Sequence, residues 1–181
     1  MLILASGSPR RREILTAAGL SFRVEVPGIE EQPLPGEAPR DYVRRLARDK
    51  AMAIAPDMGD VVLAADTVVV VDEHILEKPS CVEDARRMLR LLSGREHFVI
   101  TGICLRSPDR TVVAAESTGV RFVQLSEAEI DEYAASGEPM DKAGGYAIQG
   151  LASKFIDRVE GCYFNVVGLP IALVYKHLKA L

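Results

Sequence analysis

The sequence predicts a mixed α/β fold, with one large β-sheet flanked by helices. Three observations carry this. Val61–Val71 is a long run of β-branched and apolar residues, the pattern of a buried strand. Residues 40–55 place Val43, Leu46, Ala47, Ala51 and Ile54 at helical spacing. Strand-like and helix-like segments are interspersed along the whole chain, with no internal repeat, low-complexity tract or linker between them.

Taken in order, Leu2–Ala5 is a short apolar strand that runs into Ser6-Gly7-Ser8-Pro9. A helix over residues 9–18 follows, with Ser8 as N-cap, Pro9 at its first position and Gly19 as its stop. Phe22, Val24 and Val26 alternate with polar residues as in a strand, and residues 28–39 form an acidic loop before the second helix. After the Val61–Val71 strand and the strand-like His74-Ile75-Leu76, Ser80 and Glu83 have the spacing of a capping box for a helix to Leu92, which Gly94 ends. Residues 96–105 and 111–123 read as two strands joined by a turn at Ser107-Pro108-Asp109-Arg110. Ser126 and Glu129 form a second capping box for a helix to Ala135. Residues 141–150 are a glycine-rich loop, residues 155–159 a strand, and a last helix begins near Pro170.

Composition narrows the function classes. In 181 residues, hydrophobic residues make up 48% and charged residues 27%, which excludes a disordered chain and a small disulfide scaffold. Twenty-two Lys and Arg against 26 Asp and Glu leave a net charge of −4, so the chain is no generic binder of polyanions such as nucleic acid. Cys81, Cys104 and Cys162 lie far apart with no Cys-x-x-Cys spacing, as expected of a reduced, cytoplasmic protein. The arginine-rich start is unlike a signal peptide, and the longest apolar run, residues 166–175, is too short for a membrane span.

Four places break local rules. At Ser6-Gly7-Ser8-Pro9-Arg10-Arg11-Arg12, a strand, a small-residue turn and a helix N-terminus make an anion-binding arrangement. The arginines stand where the helix dipole disfavours cations, which suits an anion to be neutralised, although an ordinary cap with solvated arginines has the same spacing. Asp66, followed by Thr67, interrupts the apolar Val61–Val71 run. A buried carboxylate needs a cation, a metal or hydrogen bonds, unless it sits at a bulge or an open face. Lys50 shares the helix face of Leu46 and Ile54, where it either snorkels or meets Asp66 or a phosphate. Lys78 follows a strand-like segment and is a weaker second lysine. Gln149, in the glycine-rich segment, offers an amide whose donor and acceptor complement the O4 and N3–H of uracil or thymine, though a plain structural loop fits equally. His74, His97 and His177 do not cluster as zinc ligands would, and no Gly-x-Ser-x-Gly elbow is present.

Taken together, Leu4-Ala5-Ser6-Gly7-Ser8-Pro9-Arg10-Arg11, Ile29-Glu30-Glu31, Leu46-Ala47-Arg48-Asp49-Lys50-Ala51, Ala65-Asp66-Thr67, Lys78-Pro79, Asp141-Lys142-Ala143-Gly144, Ile148-Gln149-Gly150 and Val167-Gly168-Leu169-Pro170 resemble the Maf-like nucleotide pyrophosphatase family, also called septum-formation inhibitors. The segments run in family order over nearly the whole chain. The resemblance implies a single domain over residues 1–181, an elongated fold with two lobes around a central cleft, and a homodimer. It implies hydrolysis of nucleoside triphosphates to monophosphate and pyrophosphate with a divalent cation, Mg²⁺ or Mn²⁺, and no nucleic-acid or membrane partner. It implies that Asp66 is the catalytic acid residue, that Glu31 and Asp66 hold the metal, and that Ser8, Arg10, Arg11, Lys50 and Lys78 bind phosphate. Arg10, Thr67 and Gln149 match positions that set base preference, and their pattern resembles the subgroup acting on dTTP and UTP. Glu77 and Ala147 stand where glycine is usual in the family, and neither removes a charged group. Two other classes remain open on the sequence: an inosine-triphosphate-type pyrophosphatase, and a division regulator acting through a binding partner.

Overall fold

The computed structural model describes residues 1–72 and 74–181. Its strands are β1 (Leu2–Ala5), β2 (Phe22–Val24), β3 (Val61–Val71), β4 (His74–Leu76), β5 (Glu96–Arg106), β6 (Thr111–Phe122) and β7 (Ile156–Glu160). They form one seven-stranded sheet in the order β2-β1-β3-β5-β6-β7, with β4 paired to β3. The chain divides into two compact units. The first comprises Met1–Thr67, Thr101–Glu116 and Phe164–Leu181, and the second Val68–Ile100 and Ser117–Tyr163. The mixed α/β class expected from the sequence is the one observed.

In the first unit, β1 lies between two parallel partners, with Leu2 opposite both Phe22 of β2 and Val61 of β3. A central parallel strand is covered on both faces, which is why all four of its residues are apolar and buried. Helix α1 (Pro9–Ala17) starts after Ser8 as expected, and Gly19 beyond its end has φ +69°. Helix α2 (Pro39–Met52) buries Tyr42, Val43, Leu46, Ala47, Lys50 and Ala51, a single helical stripe. Ala47 and Ala51 pack with Ile3, Ala5, Ile54, Val62, Ala64 and Cys104. These small side chains let the helix sit close to the sheet.

Closest approach comes at Gly102 of β5, where a Cβ would stand 2.3 Å from the Val43 carbonyl oxygen. The helix ends three residues sooner than the helical spacing predicts. Arg106 of β5 donates Nη1 N–H groups to the carbonyls of Ala51 (3.3 Å), Met52 (3.3 Å) and Ile54 (2.9 Å), so a cation terminates the helix. The Ser107–Arg110 turn is as expected, with Ser107 N–H donating to the Arg110 carbonyl at 2.8 Å. Before α6 (Ile171–Leu178), the chain forms an additional short helix, α5 (Tyr163–Val167), which the glycine and proline of the surrounding apolar run conceal in the sequence.

In the second unit, β4 runs antiparallel to the end of β3 and β7 antiparallel to β6. Helices α3 (Val82–Leu92) and α4 (Glu127–Ala135) bury Ala85, Met88, Leu89 and Leu92, and Ile130, Tyr133 and Ala134. The expected capping box of α4 forms: Glu129 N–H donates to Ser126 Oγ, and Ser126 N–H donates to Glu129 Oε2. The one expected for α3 does not. That helix begins one residue later, with Cys81 at its N-cap, so Asp84 rather than Glu83 reaches back, accepting Ser80 N–H at 3.0 Å. His97 is fully buried against Phe122 and Tyr146, with Nε2 2.7 Å from the Tyr146 hydroxyl.

Two predictions follow from this packing. Gly102→Ala should destabilise the protein by ~1–3 kcal/mol through overpacking against the Val43 backbone, read from urea unfolding. Burial pushes the His97 imidazole down from 6.5 to about 4. The unfolded chain therefore takes up a proton between these values while the folded protein does not. His97 should cost stability as pH falls from 6.5 towards 4, by ~3 kcal/mol in all, and His97→Gln should flatten that slope in pH-dependent urea titrations.

Candidate active site

The site is built within the first unit around the one acidic residue of β3. Asp66 is 6% exposed, and its Oδ1 accepts a 2.6 Å hydrogen bond from Lys50 Nζ. Lys50 leaves the apolar stripe of α2, where its neighbours are core residues, so the helix delivers an ammonium directly to the buried carboxylate. The sequence alternatives for both residues resolve together: the lysine does not snorkel, and the aspartate does not face solvent. The same Nζ reaches Glu31 Oε1 at 2.9 Å. Glu31 comes from the loop between β2 and α2, and its side chain is 44% exposed against 9% for Lys50 and Asp66. The three groups thus run from the interior to the surface, with one cation shared between two carboxylates. Asp66 Oδ2 has no hydrogen-bond partner among the described residues.

Arg11 forms the second part. From the first turn of α1 its Nε donates to the Gly168 carbonyl (2.9 Å), and its Nη1 donates to Ser6 Oγ (3.0 Å) and the Ala65 carbonyl (2.8 Å). Its Nη2 donates to Thr67 Oγ1 at 3.3 Å. A guanidinium has five N–H groups. Four are committed to the chain itself, which leaves one on Nη2 for a ligand. Burial pulls the Arg11 guanidinium below its ordinary value, while the Asp66 and Glu31 carboxylates oppose that shift and Arg10 adds to it. Thr67 Oγ1 also lies 2.9 Å from Thr101 Oγ1, and Thr101 donates to the Asn165 carbonyl at 3.2 Å.

Ser8 sits in extended backbone before α1, its side chain making no capping bond, and its N–H donates to Ser6 Oγ at 3.2 Å. The first turn of α1 holds no acidic residue and includes the half-buried Arg10. Lys50 therefore pairs with two anions, Glu31 and Asp66, while Arg11 feels both carboxylates and the neighbouring Arg10 at an electropositive helix end. Lys78 and Gln149 belong to the second unit, and both are exposed there.

Thr101 and Asn165 are parts of this network that residue-type reasoning misses, while Ser6 and Gly168 lie in segments the sequence singles out without showing that they partner Arg11. The available signal is polarity in apolar surroundings: Ser6, Thr101 and Asn165 are all buried. Two carboxylates also fit a hard divalent cation, because Mg²⁺ is commonly held by one or two carboxylates together with substrate phosphates. No group of three or more His, Cys, Asp or Glu that could hold a metal occurs among the described residues.

The family model for Maf-like proteins matches residues 1–181. The chain belongs to the Maf-like family. A relative from Koribacter versatilis, named a dTTP/UTP pyrophosphatase, is 52% identical over 179 residues, covering 98% of this chain and 93% of the relative. Relatives of the same name from Sphingopyxis alaskensis and Vibrio cholerae are 56% and 51% identical, each over 94% of this chain and 90% and 92% of their own length. The solved Staphylococcus aureus Ham1 protein shares the fold, with a TM-score of 0.54 and 13% identity over 99% of this chain and 98% of that one.

Lys50→Met should destabilise the protein by ~3 kcal/mol in urea unfolding, because it leaves Asp66 buried without its cation. Adding Asp66→Asn to that variant should recover part of the loss.

Proposed function

We propose that this protein is a nucleoside triphosphate pyrophosphatase that hydrolyses dTTP and UTP, including modified pyrimidine nucleotides, to the monophosphate and pyrophosphate. The names of its full-length relatives support the substrate class. The observation that carries the chemistry is Lys50 bridging Asp66 and Glu31 in the unit that also holds Arg10 and Arg11.

In this reading residues 1–181 act as one catalytic domain. Arg10, Arg11 and Lys50, with Ser8 and Lys78, bind the phosphate oxygens. The arginine forks orient them and the lysines act as point charges. Glu31 and Asp66 would hold Mg²⁺ or Mn²⁺, which supplies further positive charge against the phosphate oxygens when bound. Asp66 accepts, at Oδ2, a proton from the water that attacks the α-phosphorus. A new P–O bond forms, the bond from the α-phosphorus to the bridging oxygen breaks, and pyrophosphate leaves. Most of the acceleration comes from positioning and charge stabilisation, as in phosphoryl transfer generally.

Arg10, Thr67 and Gln149 set base preference, Gln149 through an amide that pairs with O4 and N3–H of thymine or uracil. Removal of unwanted nucleotides from the pool, with an effect on cell division, is the corresponding physiological role. We place the enzyme in the cytoplasm as a homodimer; its three free cysteines suit a reducing compartment.

The test is the full-length protein with Mg²⁺ and a panel of triphosphates that includes dTTP, UTP, dCTP, dGTP and dITP, with pyrophosphate and monophosphate quantified. dTTP and UTP should lead the ranking, and equal yields of both products should appear. Asp66→Asn should lower turnover by ~100-fold or more, and turnover within about twofold of the parent would remove Asp66 as the proton acceptor.

A further inference from the structure

The second unit contains a part-buried hydrogen-bonded clamp around the segment that carries the exposed Gln149. Tyr133 of α4 is 3% exposed, and its hydroxyl donates to Glu138 Oε1 at 2.8 Å. The same hydroxyl accepts the Ala147 N–H at 3.2 Å. Glu138 Oε2 accepts the Leu151 N–H at 3.1 Å. One carboxylate and one phenol therefore hold both ends of Ile148-Gln149-Gly150, and the Gly150 N–H closes the turn onto the Ala147 carbonyl at 3.1 Å. A Cβ on Gly150 would lie 2.4 Å from both Glu138 carboxylate oxygens, so the carboxylate sits directly against this backbone.

Glu138 is itself held. Its N–H donates to Ser136 Oγ at 3.2 Å, and its carbonyl accepts Lys142 Nζ at 2.8 Å. Burial, and then the hydrogen bond to Glu138, push the Tyr133 phenol above its ordinary value, so it remains a donor through the neutral range. A long polar side chain on a loose loop loses conformational entropy when it engages a ligand; one whose backbone is already fixed loses less.

We infer that Tyr133 and Glu138 are positioning residues for base selection: they fix the backbone that presents the Gln149 amide, and so set the preference for pyrimidine bases offering the O4 acceptor beside the N3–H donor. This rests on Gln149 reading the base, as proposed above. Neither residue touches the nucleotide, and neither takes part in hydrolysis.

Tyr133→Phe removes the hydroxyl that joins Ala147 to Glu138. Leu151→Pro removes a single N–H at an exposed side chain, and Gly150 before it has ψ −152°, an extended conformation that a following proline accepts. The second variant keeps the test open if the first fails to fold. With full-length protein and Mg²⁺, kcat and KM are measured for dTTP, dCTP and dGTP, beside Gln149→Ala and the Tyr133→Phe/Gln149→Ala pair. Each clamp variant should lower kcat/KM for dTTP by about tenfold through KM and leave kcat near the parent. dCTP and dGTP should change less than about twofold, which narrows the base ranking. The double variant should match Gln149→Ala alone. An unchanged ranking in folded clamp variants, or an equal fall for all three nucleotides, overturns the inference while Gln149→Ala still shifts the ranking. An unchanged ranking in Gln149→Ala overturns the base-reading assignment, and the inference with it.

Discussion

Asp66 is an anion in the interior of a strand, and much of the first unit is arranged around compensating it. Removing a carboxylate from water costs several kcal/mol unless a partner replaces the lost hydration. Lys50 provides that partner at 2.6 Å, and it does so from a position that would otherwise be filled by an apolar core residue. Two charges buried together contribute little net stability compared with a packed hydrophobic pair. Glu31 then connects the pair to solvent through the same ammonium.

The delivery of Lys50 depends on how closely α2 approaches the sheet. Gly102 removes the side chain that would strike the Val43 backbone, and Ala47 and Ala51 present small surfaces to β1 and β3. Arg106 ends the helix by taking its last carbonyls. Arg11 plays the corresponding part for α1. By binding Ser6, Ala65, Thr67 and the Gly168 carbonyl, it ties the start of that helix to β1, β3 and the turn before α6. An arginine in a first helical turn opposes the helix dipole, and here hydrogen bonds to four acceptors offset that cost. Arg11 thus acts as a structural tie in the first turn of α1.

The second unit uses polar contacts differently. Its ion pairs between α3 and α4, such as Arg86 with Asp131 and Arg90 with Glu127, are exposed, and pairs of that kind contribute little. Its inner polar contacts join few groups and reach backbone: His97 with Tyr146, and Tyr133 with the Glu138 carboxylate and the Ala147 N–H. The first unit gathers charges around a buried carboxylate, while the second holds backbone where it shapes a loop.

Much of this was legible in the residues alone. Strands β1 and β3, the second capping box and the Ser107–Arg110 turn are local patterns, and local sterics and hydrogen bonding determine them. Asp66 and Lys50 could be singled out because each breaks an apolar pattern, a signal that needs no knowledge of the fold. The partners could not be read. Ser6, Thr101, Asn165 and Gly168 become neighbours of Arg11 and Thr67 only when distant segments pack, and Asp84 replaces Glu83 as the capping residue of α3 because the helix start shifts by one position. Patterning along the chain decided which groups would be costly to bury, whereas tertiary packing decided which atoms compensate them, because that compensation depends on distances between segments far apart in sequence.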